Sequence, residues 1–324
     1  MKKLLLILTI ILCSQSVFAK KTGAFSLTFS NNGIQSSVYL YVPEDYDSTK
    51  AYPMLWGWHG GGVPGETMLN MLAQIRYSTK VIIVCPDINN ITTNDQFSNI
   101  YSFSYLYPIQ NYSVDTTKVV ITGSSLGGFY AYQIGLTNPK LVKGIIGIAP
   151  AIGVEDITTD QWENVSQVRM ATILGTLDDN YDAVSDLITE IKDRGGDMLF
   201  IEKQGLDHVG SNGYYSTQEF IDDYMNCFDY VLNSTTGVEV QPTAGKPMSL
   251  EIYPNPASDY ISINTGSDNN TNSEIRIYNC LGACVLTTDE ASQLVDVSIL
   301  PSGVYSLSVG NGSGTQTGHF IVAR

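Results

Sequence analysis

The stretch that most constrains the chain runs from Lys118 to Phe129. Val119, Val120, Ile121 and Thr122 suit a buried strand, Gly123, Ser125 and Gly127 spell Gly-x-Ser-x-Gly, and Phe129, Tyr130, Ala131, Tyr132 and Ile134 continue as a helix. A strand, a sharp turn and a helix in that order form the setting in which this pentapeptide carries chemical meaning. The turn is expected to strain the backbone of Ser125, while Gly123 and Gly127 admit neighbouring backbone where a Cβ would collide. The Ser125 hydroxyl would then stand at the tip. The Leu126 amide would open the helix, where an N–H without an intrahelical acceptor can stabilise a developing oxyanion. Five residues alone fit a plain Gly/Ser turn equally well, and it is the flanks that favour a nucleophile.

The surrounding pattern repeats that alternation. Phe25, Leu27 and Phe29 alternate with polar residues, Asn31, Asn32 and Gly33 turn the chain, and Val38 to Val42 follow, so two antiparallel strands open the domain. Pro53 to Trp58 reads as a buried strand ending in His59, Gly60, Gly61 and Gly62. Main-chain amides of Gly60 or Gly61 suit the second arm of an oxyanion hole. A phosphate-cradling loop is disfavoured because no Lys-Ser or Lys-Thr follows the glycines. Met68, Leu69, Leu72 and Ile75 have helical spacing, and Val81 to Cys85 is another buried strand. Tyr101, Phe103, Tyr105, Tyr107 and Tyr112 are expected to pack one short helix on the sheet, with a substrate cleft as the second reading. Further strands are expected at Gly144 to Pro150, Met170 to Leu174 and Met198 to Ile201, with helices from about Ala183 to Asp193 and from Phe220 to Val231. Short apolar strands alternating with helices imply an α/β fold with a mostly parallel sheet covered on both faces.

A serine hydroxyl needs a base, and the base needs a carboxylate to orient it. Three histidines exist. His319 lies in the C-terminal tail and His59 adjoins the glycine turn, so His208, between the last strand and the last helix, is the candidate base. Asp178, three residues after Gly175, is the candidate acid, with Asp179 and Asp182 close enough to compete. Ser125, Asp178 and His208 in that chain order follow the α/β-hydrolase triad rather than either common protease order.

Val38 to Tyr46, Tyr52 to Gly62, Val114 to Phe129, Gly175 to Asp178 and Gly205 to His208 together resemble the small α/β-hydrolases that include feruloyl and acetyl-xylan esterases, esterase D and polyhydroxyalkanoate depolymerases. The resemblance implies a serine carboxylic-ester hydrolase that acylates Ser125, moves protons through His208, orients it with Asp178 and uses the amides of Leu126 and Gly60 or Gly61. It implies an ester substrate, feruloyl or acetyl groups on polysaccharide among the options, and no cofactor. A prolyl-oligopeptidase-type peptidase and a silent surface-binding protein are the alternatives. One departure is Asp207, a carboxylate directly before His208 where a glycine is commoner.

Beyond Asn233 the character changes. Residues 236–248 read as a linker, and 249–324 as a small all-β sandwich of strand-like stretches at Leu250 to Asn264, Glu274 to Tyr278, Ala283 to Leu286 and Gly303 to Val309. Ile252 to Ala257 with Asp259, Ile277 to Gly282, Val295 to Ser298 and Gly303 to Leu307 resemble a type A sorting domain of the type IX secretion system. That implies contact with the secretion machinery and a final place at the cell surface or in the medium. At the other end, two lysines, an apolar run from Leu4 to Cys13 and Val17, Phe18 and Ala19 read as a cleaved signal over residues 1–19, with an apolar core too short for a stable transmembrane span. That leaves 20–235 for the hydrolase domain.

A formal charge of −15 with 17 basic residues argues against a nucleic-acid partner. Cys280 and Cys284 could close a small loop, Cys85 reads as a buried thiol, and no cysteine has metal-ligand spacing with a histidine.

Overall fold

The computed structural model describes residues 20–233 and, in the C-terminal part, 251–254, 257–264, 274–279, 284–288, 294–301, 303–311 and 314–322. The expected signal (1–19), the linker (236–248) and Cys280 lie outside the described residues.

Eight strands form the first sheet: β1 (Gly23–Asn31), β2 (Ile34–Val42), β3 (Tyr52–Trp58), β4 (Ile82–Pro86), β5 (Val114–Ser124), β6 (Gly144–Ile148), β7 (Arg169–Leu177) and β8 (Met198–Asp207). Their spatial order is β1-β2-β4-β3-β5-β6-β7-β8. The opening hairpin turns at Asn32 and Gly33, both at positive φ. The pairings of β1 with β2 and of β2 with β4 are antiparallel, and all others are parallel. The helices are α1 (Gly65–Leu72), α2 (Asn94–Asn111), α3 (Leu126–Thr137), α4 (Thr159–Asn164), α5 (Tyr181–Asp193) and α6 (Gln218–Leu232).

The two-residue period of the strands sorts the apolar side chains into two cores. Met54, Trp56, Trp58, Val119 and Ile121 join one core with residues of α2, α3 and α5. Leu55, Ile83, Cys85, Val120 and Ile146 join the other, with Met68, Leu69 and Leu72 of α1 and Phe220, Tyr224 and Phe228 of α6. Cys85 is fully buried, and burial pushes its thiol above the ordinary range.

The aromatic segment departs from expectation in length. α2 is 18 residues long, opened by Thr93, whose hydroxyl accepts from the Gln96 amide, and it accommodates Pro108. Its rings pack the sheet: Tyr101 and Tyr105 lie 4.8 and 5.2 Å from Trp56, ring centroid to centroid, and the Trp56 indole N–H donates to the Ser104 hydroxyl at 2.9 Å.

The C-terminal part is all β. A three-stranded antiparallel sheet, β13-β10-β9, and a four-stranded one, β12-β11-β14-β15, comprise β9 (Glu251–Tyr253), β10 (Tyr260–Asn264), β11 (Glu274–Tyr278), β12 (Cys284–Thr288), β13 (Leu294–Asp296), β14 (Gly303–Asn311) and β15 (Gly314–Val322). Ile261, Ile263 and Val295 of the first sheet share a core with Ile277, Leu307 and Phe320 of the second. Leu250 to Asn264 is therefore two strands rather than one stretch. β13, only three residues long, and β15, with Gln316, Thr317, Gly318 and His319 in its centre, lack the apolar alternation that would have announced them.

Candidate active site

β5 delivers Ser125 at φ 54° and ψ −121°, a conformation that is rare and costly for a residue with a Cβ. Its backbone is held from several directions. The Ser125 N–H donates to Ile148 O at 3.0 Å, and its carbonyl accepts from Gly128 N at 2.9 Å, Phe129 N at 3.2 Å and Ala151 N at 3.0 Å. Two glycines make the turn possible. A Cβ on Gly123 would fall 2.0 Å from Gly127 O, and one on Gly127 would fall 2.0 Å from Trp58 O.

The Ser125 hydroxyl lies 2.8 Å from His208 Nε2, and His208 Nδ1 lies 2.8 Å from Asp178 Oδ2. β7 and β8 are parallel neighbours, so Asp178 and His208, each one residue beyond a strand end, arrive at the same edge of the sheet. The Asp178 side chain is fully buried while that of His208 is 27% exposed. The other Asp178 oxygen accepts from the Asn180 amide at 2.8 Å and its carboxamide at 3.3 Å. With both carboxylate oxygens occupied, the proton belongs on Nδ1 and Nε2 is left bare toward the serine. Asp179 and Asp182 are exposed, and Asp182 sits in the first turn of α5. The Asp207 carboxylate accepts from the Ser211 amide at 2.8 Å and closes the loop that carries His208. The side chain of His319 lies outside the described residues.

The two other expected contributors are also here. Leu126 is the first residue of α3, where the leading amides lack intrahelical acceptors. Gly60 stands against the serine, for a Cβ on it would be 3.4 Å from the Ser125 Cβ. His59 does more than adjoin this turn. It is 2% exposed, its Nε2 accepts from the Ile88 amide at 2.9 Å, and its Nδ1 therefore donates to Gly60 O at 2.7 Å. Asp87 lies 3.7 Å from the same Nε2, but an imidazole accepting an N–H there is neutral, so the two are not an ion pair. In a trans peptide the carbonyl and the following N–H point opposite ways, so fixing Gly60 O aims the Gly61 N–H away from the His59 ring. A buried-ring position between an apolar strand and three glycines was the only signal of this role in the sequence.

Beside Ser125 opens a cavity of about 570 Å³ bounded by the glycine turn, α1 and the loop after His208. Met68, Met71, Asn70, Gln74 and Tyr215 are among its walls, and no lysine or arginine lines it. Burial, with the Asp178 and Asp207 carboxylates nearby, pushes the Tyr215 phenol above its ordinary value and keeps it neutral. Gln74 ties the walls together by donating to Met71 O at 3.0 Å and Tyr215 O at 3.2 Å. The segment Asn89 to Tyr112, for which a substrate cleft is the second reading, contributes nothing to this cavity, because its rings face the sheet. A larger open groove, about 1250 Å³, lies at the starts of the parallel strands beside Lys143, Arg169 and Asp197, away from Ser125. Among the described residues no three His, Cys, Asp or Glu side chains gather as metal ligands would.

With the sheet order and the strand-to-helix serine turn in place, comparison with solved structures is decisive for architecture. A ferulic acid esterase superposes with a TM-score of 0.53 at 15% identity, over 65% of this chain and 98% of that one. The first domain has the α/β-hydrolase fold. The fluorophosphonate-binding serine hydrolase F of Staphylococcus aureus gives 0.54 at 15% identity, over 65% and 99% of the two chains. An S-formylglutathione hydrolase from Agrobacterium tumefaciens gives 0.52 at 17%, over 65% and 95%. Residues 251–323 match the secretion system C-terminal sorting domain, which marks the protein for export to the cell surface or the medium. No helix among the described residues is long and apolar enough to cross a membrane. No curated protein matches the chain at significant sequence similarity.

Proposed function

We propose that the α/β-hydrolase domain is a serine carboxylic-ester hydrolase working through an acyl-enzyme. The observation that carries this reading is the unbroken row from the buried Asp178 carboxylate through His208 to the Ser125 hydroxyl, 2.8 Å at each contact. In the forward step Ser125 Oγ bonds to the ester carbonyl carbon as its proton passes to His208 Nε2. The carbonyl oxygen takes up negative charge opposite the amides of Leu126 and of the Gly60–Gly61 turn. Collapse breaks the bond to the alcohol, which leaves with the proton from His208. Water then repeats the sequence in reverse roles and frees the acid. Asp178 stays ionised throughout and stabilises the imidazolium.

The neutral, partly apolar cavity beside Ser125 supports an uncharged acyl group, and the likeness in fold to a ferulic acid esterase supports feruloyl or acetyl esters of polysaccharide as the substrates to try first. Export agrees with a polymeric substrate outside the cell. The same reading takes residues 1–19 as a removed signal, 236–248 as a linker and the tail as the part recognised by the secretion machinery. The test is turnover of p-nitrophenyl acetate, methyl ferulate and a chromogenic dipeptide by the native protein and by Ser125→Ala. Ester cleavage that disappears in the variant is expected. Ester cleavage that survives it, or cleavage of the dipeptide alone, overturns the proposal.

A further inference from the structure

Gln74 is held by the nitrogen of its carboxamide, which donates to Met71 O at 3.0 Å and to Tyr215 O at 3.2 Å. Both partners are main-chain carbonyls and can only accept, so the orientation of the carboxamide is forced. A primary amide has two N–H donors, and these two contacts use both. What remains is the carbonyl oxygen Oε1, with acceptor capacity alone, on a residue that lines the cavity beside Ser125. Among the described residues none donates to it.

The acceptor is fixed in place from both sides. Gln74 belongs to a short 3-10 helix, Ala73–Tyr77, anchored by Ile75, which is fully buried in the core under α1 and α6. Opposite it, the Tyr215 ring stands edge to face with Phe220, centroids 5.5 Å apart, and closes on Gly210, where a Cβ would fall 2.6 Å from the ring. The other uncharged polar walls, Thr67, Asn70 and Ser216, are exposed, so water replaces any bond lost there. Gln74 is half-buried, and a bond lost at Oε1 is harder to replace. A carboxylate offers Oε1 no hydrogen, and an ammonium would shed its water for a single amide oxygen. A neutral hydroxyl fits. We infer that Gln74 is a specificity-determining residue whose Oε1 accepts a hydrogen bond from a hydroxyl of the bound ester, on its acyl or its alcohol part, and so selects hydroxylated esters over their methyl ethers. This rests on the esterase reading for the ligand being an ester, whereas the selection itself is a property of binding.

The test measures binding without turnover, by calorimetric titration of full-length Ser125→Ala. One arm compares methyl para-hydroxycinnamate with methyl para-methoxycinnamate, and the other compares hydroxyethyl cinnamate with methoxyethyl cinnamate. Roughly tenfold tighter binding of the hydroxyl form is expected in one arm, and that arm identifies which part of the ester carries the hydroxyl. Gln74→Lys, introduced beside Ser125→Ala, keeps hydrogens for Met71 O and Tyr215 O but has no acceptor, and it should erase or invert the preference. Gln74→Met has neither hydrogens nor a comparable acceptor, so it should erase the preference as well and also lower the melting temperature. Thermal unfolding confirms that each variant is folded. No preference in either arm, or a preference that Gln74→Lys retains, overturns the inference; retention in Gln74→Lys with loss in Gln74→Met would make Gln74 a strut between the walls. Because the Ser125 hydroxyl is absent from the assay, a failure of ester turnover in the native protein would count against the esterase reading alone.

Discussion

Asp178→Asn is a near-isosteric change whose effect can be worked out from the hydrogen bonds at each oxygen. Oδ1 faces two donors, the Asn180 amide at 2.8 Å and its carboxamide at 3.3 Å, so the carbonyl oxygen of the new side chain must stay there. The new amino group is then forced onto the Oδ2 site, 2.8 Å from His208 Nδ1. A donor at that position requires Nδ1 to accept, which moves the imidazole proton to Nε2. The face toward Ser125 would carry a proton where a bare nitrogen is needed, and the serine would lose its base without any change of shape. In a well-studied protease triad the equivalent change lowers kcat by about ten-thousandfold, which corresponds to about 5.4 kcal/mol of lost transition-state stabilisation. The same order is expected here. The assay is p-nitrophenyl acetate turnover, with thermal unfolding as the control for folding. Asp179→Asn and Asp182→Asn, altered at exposed carboxylates, should retain activity within about threefold. Near-normal turnover by folded Asp178→Asn, or a large loss in either neighbour instead, would refute the reasoning.

Other outcomes follow from specific contacts. Gly127→Ala places a Cβ 2.0 Å from Trp58 O, so backbone must move; a loss of about 3 kcal/mol in urea unfolding is expected, and a neutral result would contradict the tight turn. Ser104→Ala removes the acceptor of the buried Trp56 indole and should cost about 2 kcal/mol in the same measurement. Hydrogen bonds from Ser211 hold the Asp207 carboxyl below its ordinary value, so its stabilising effect is fully present above the unfolded-state pKa of about 3.9 and is lost as pH falls through the lower folded-state value. Asp207→Ala should therefore melt below the native protein at pH 7, with the gap closing in acid; a gap that persists in acid would assign the effect to something other than charge.

The parts of this molecule that were legible in sequence share a physical cause. The serine turn could be read because its constraints are local: Gly123 and Gly127 are needed within four residues of Ser125 for backbones to pass at contact distance. The strands of the large sheet could be read because burial on both faces leaves continuous apolar runs, as in Ile82 to Cys85 and Ile145 to Ile148. α2 was hidden because its buried side includes Gln96, Ser102 and Ser104 as well as rings, and because Pro108 interrupts the pattern. Its rings faced the sheet rather than a cleft, which left the cavity to α1 and Tyr215, elements distant in sequence from the serine. His59 acts through a tautomer fixed by the Ile88 amide, and no pattern of residue types encodes that. β15 pairs along its full length with β14 although its first six residues are polar or Gly and only Phe320, Ile321 and Val322 are apolar, so pairing with its partner does more than an alternation of its own to make it a strand.

Covalent labelling of the native protein with a fluorophosphonate, read by intact mass and peptide mapping, reaches the chemistry of Ser125 without assuming any substrate. One adduct is predicted on the peptide that contains Ser125, formed rapidly in the native chain and lost or greatly slowed in His208→Ala. An adduct on another residue, no adduct at all, or labelling of Ser125 at the same rate without the His208 imidazole would contradict the proposed nucleophile and base.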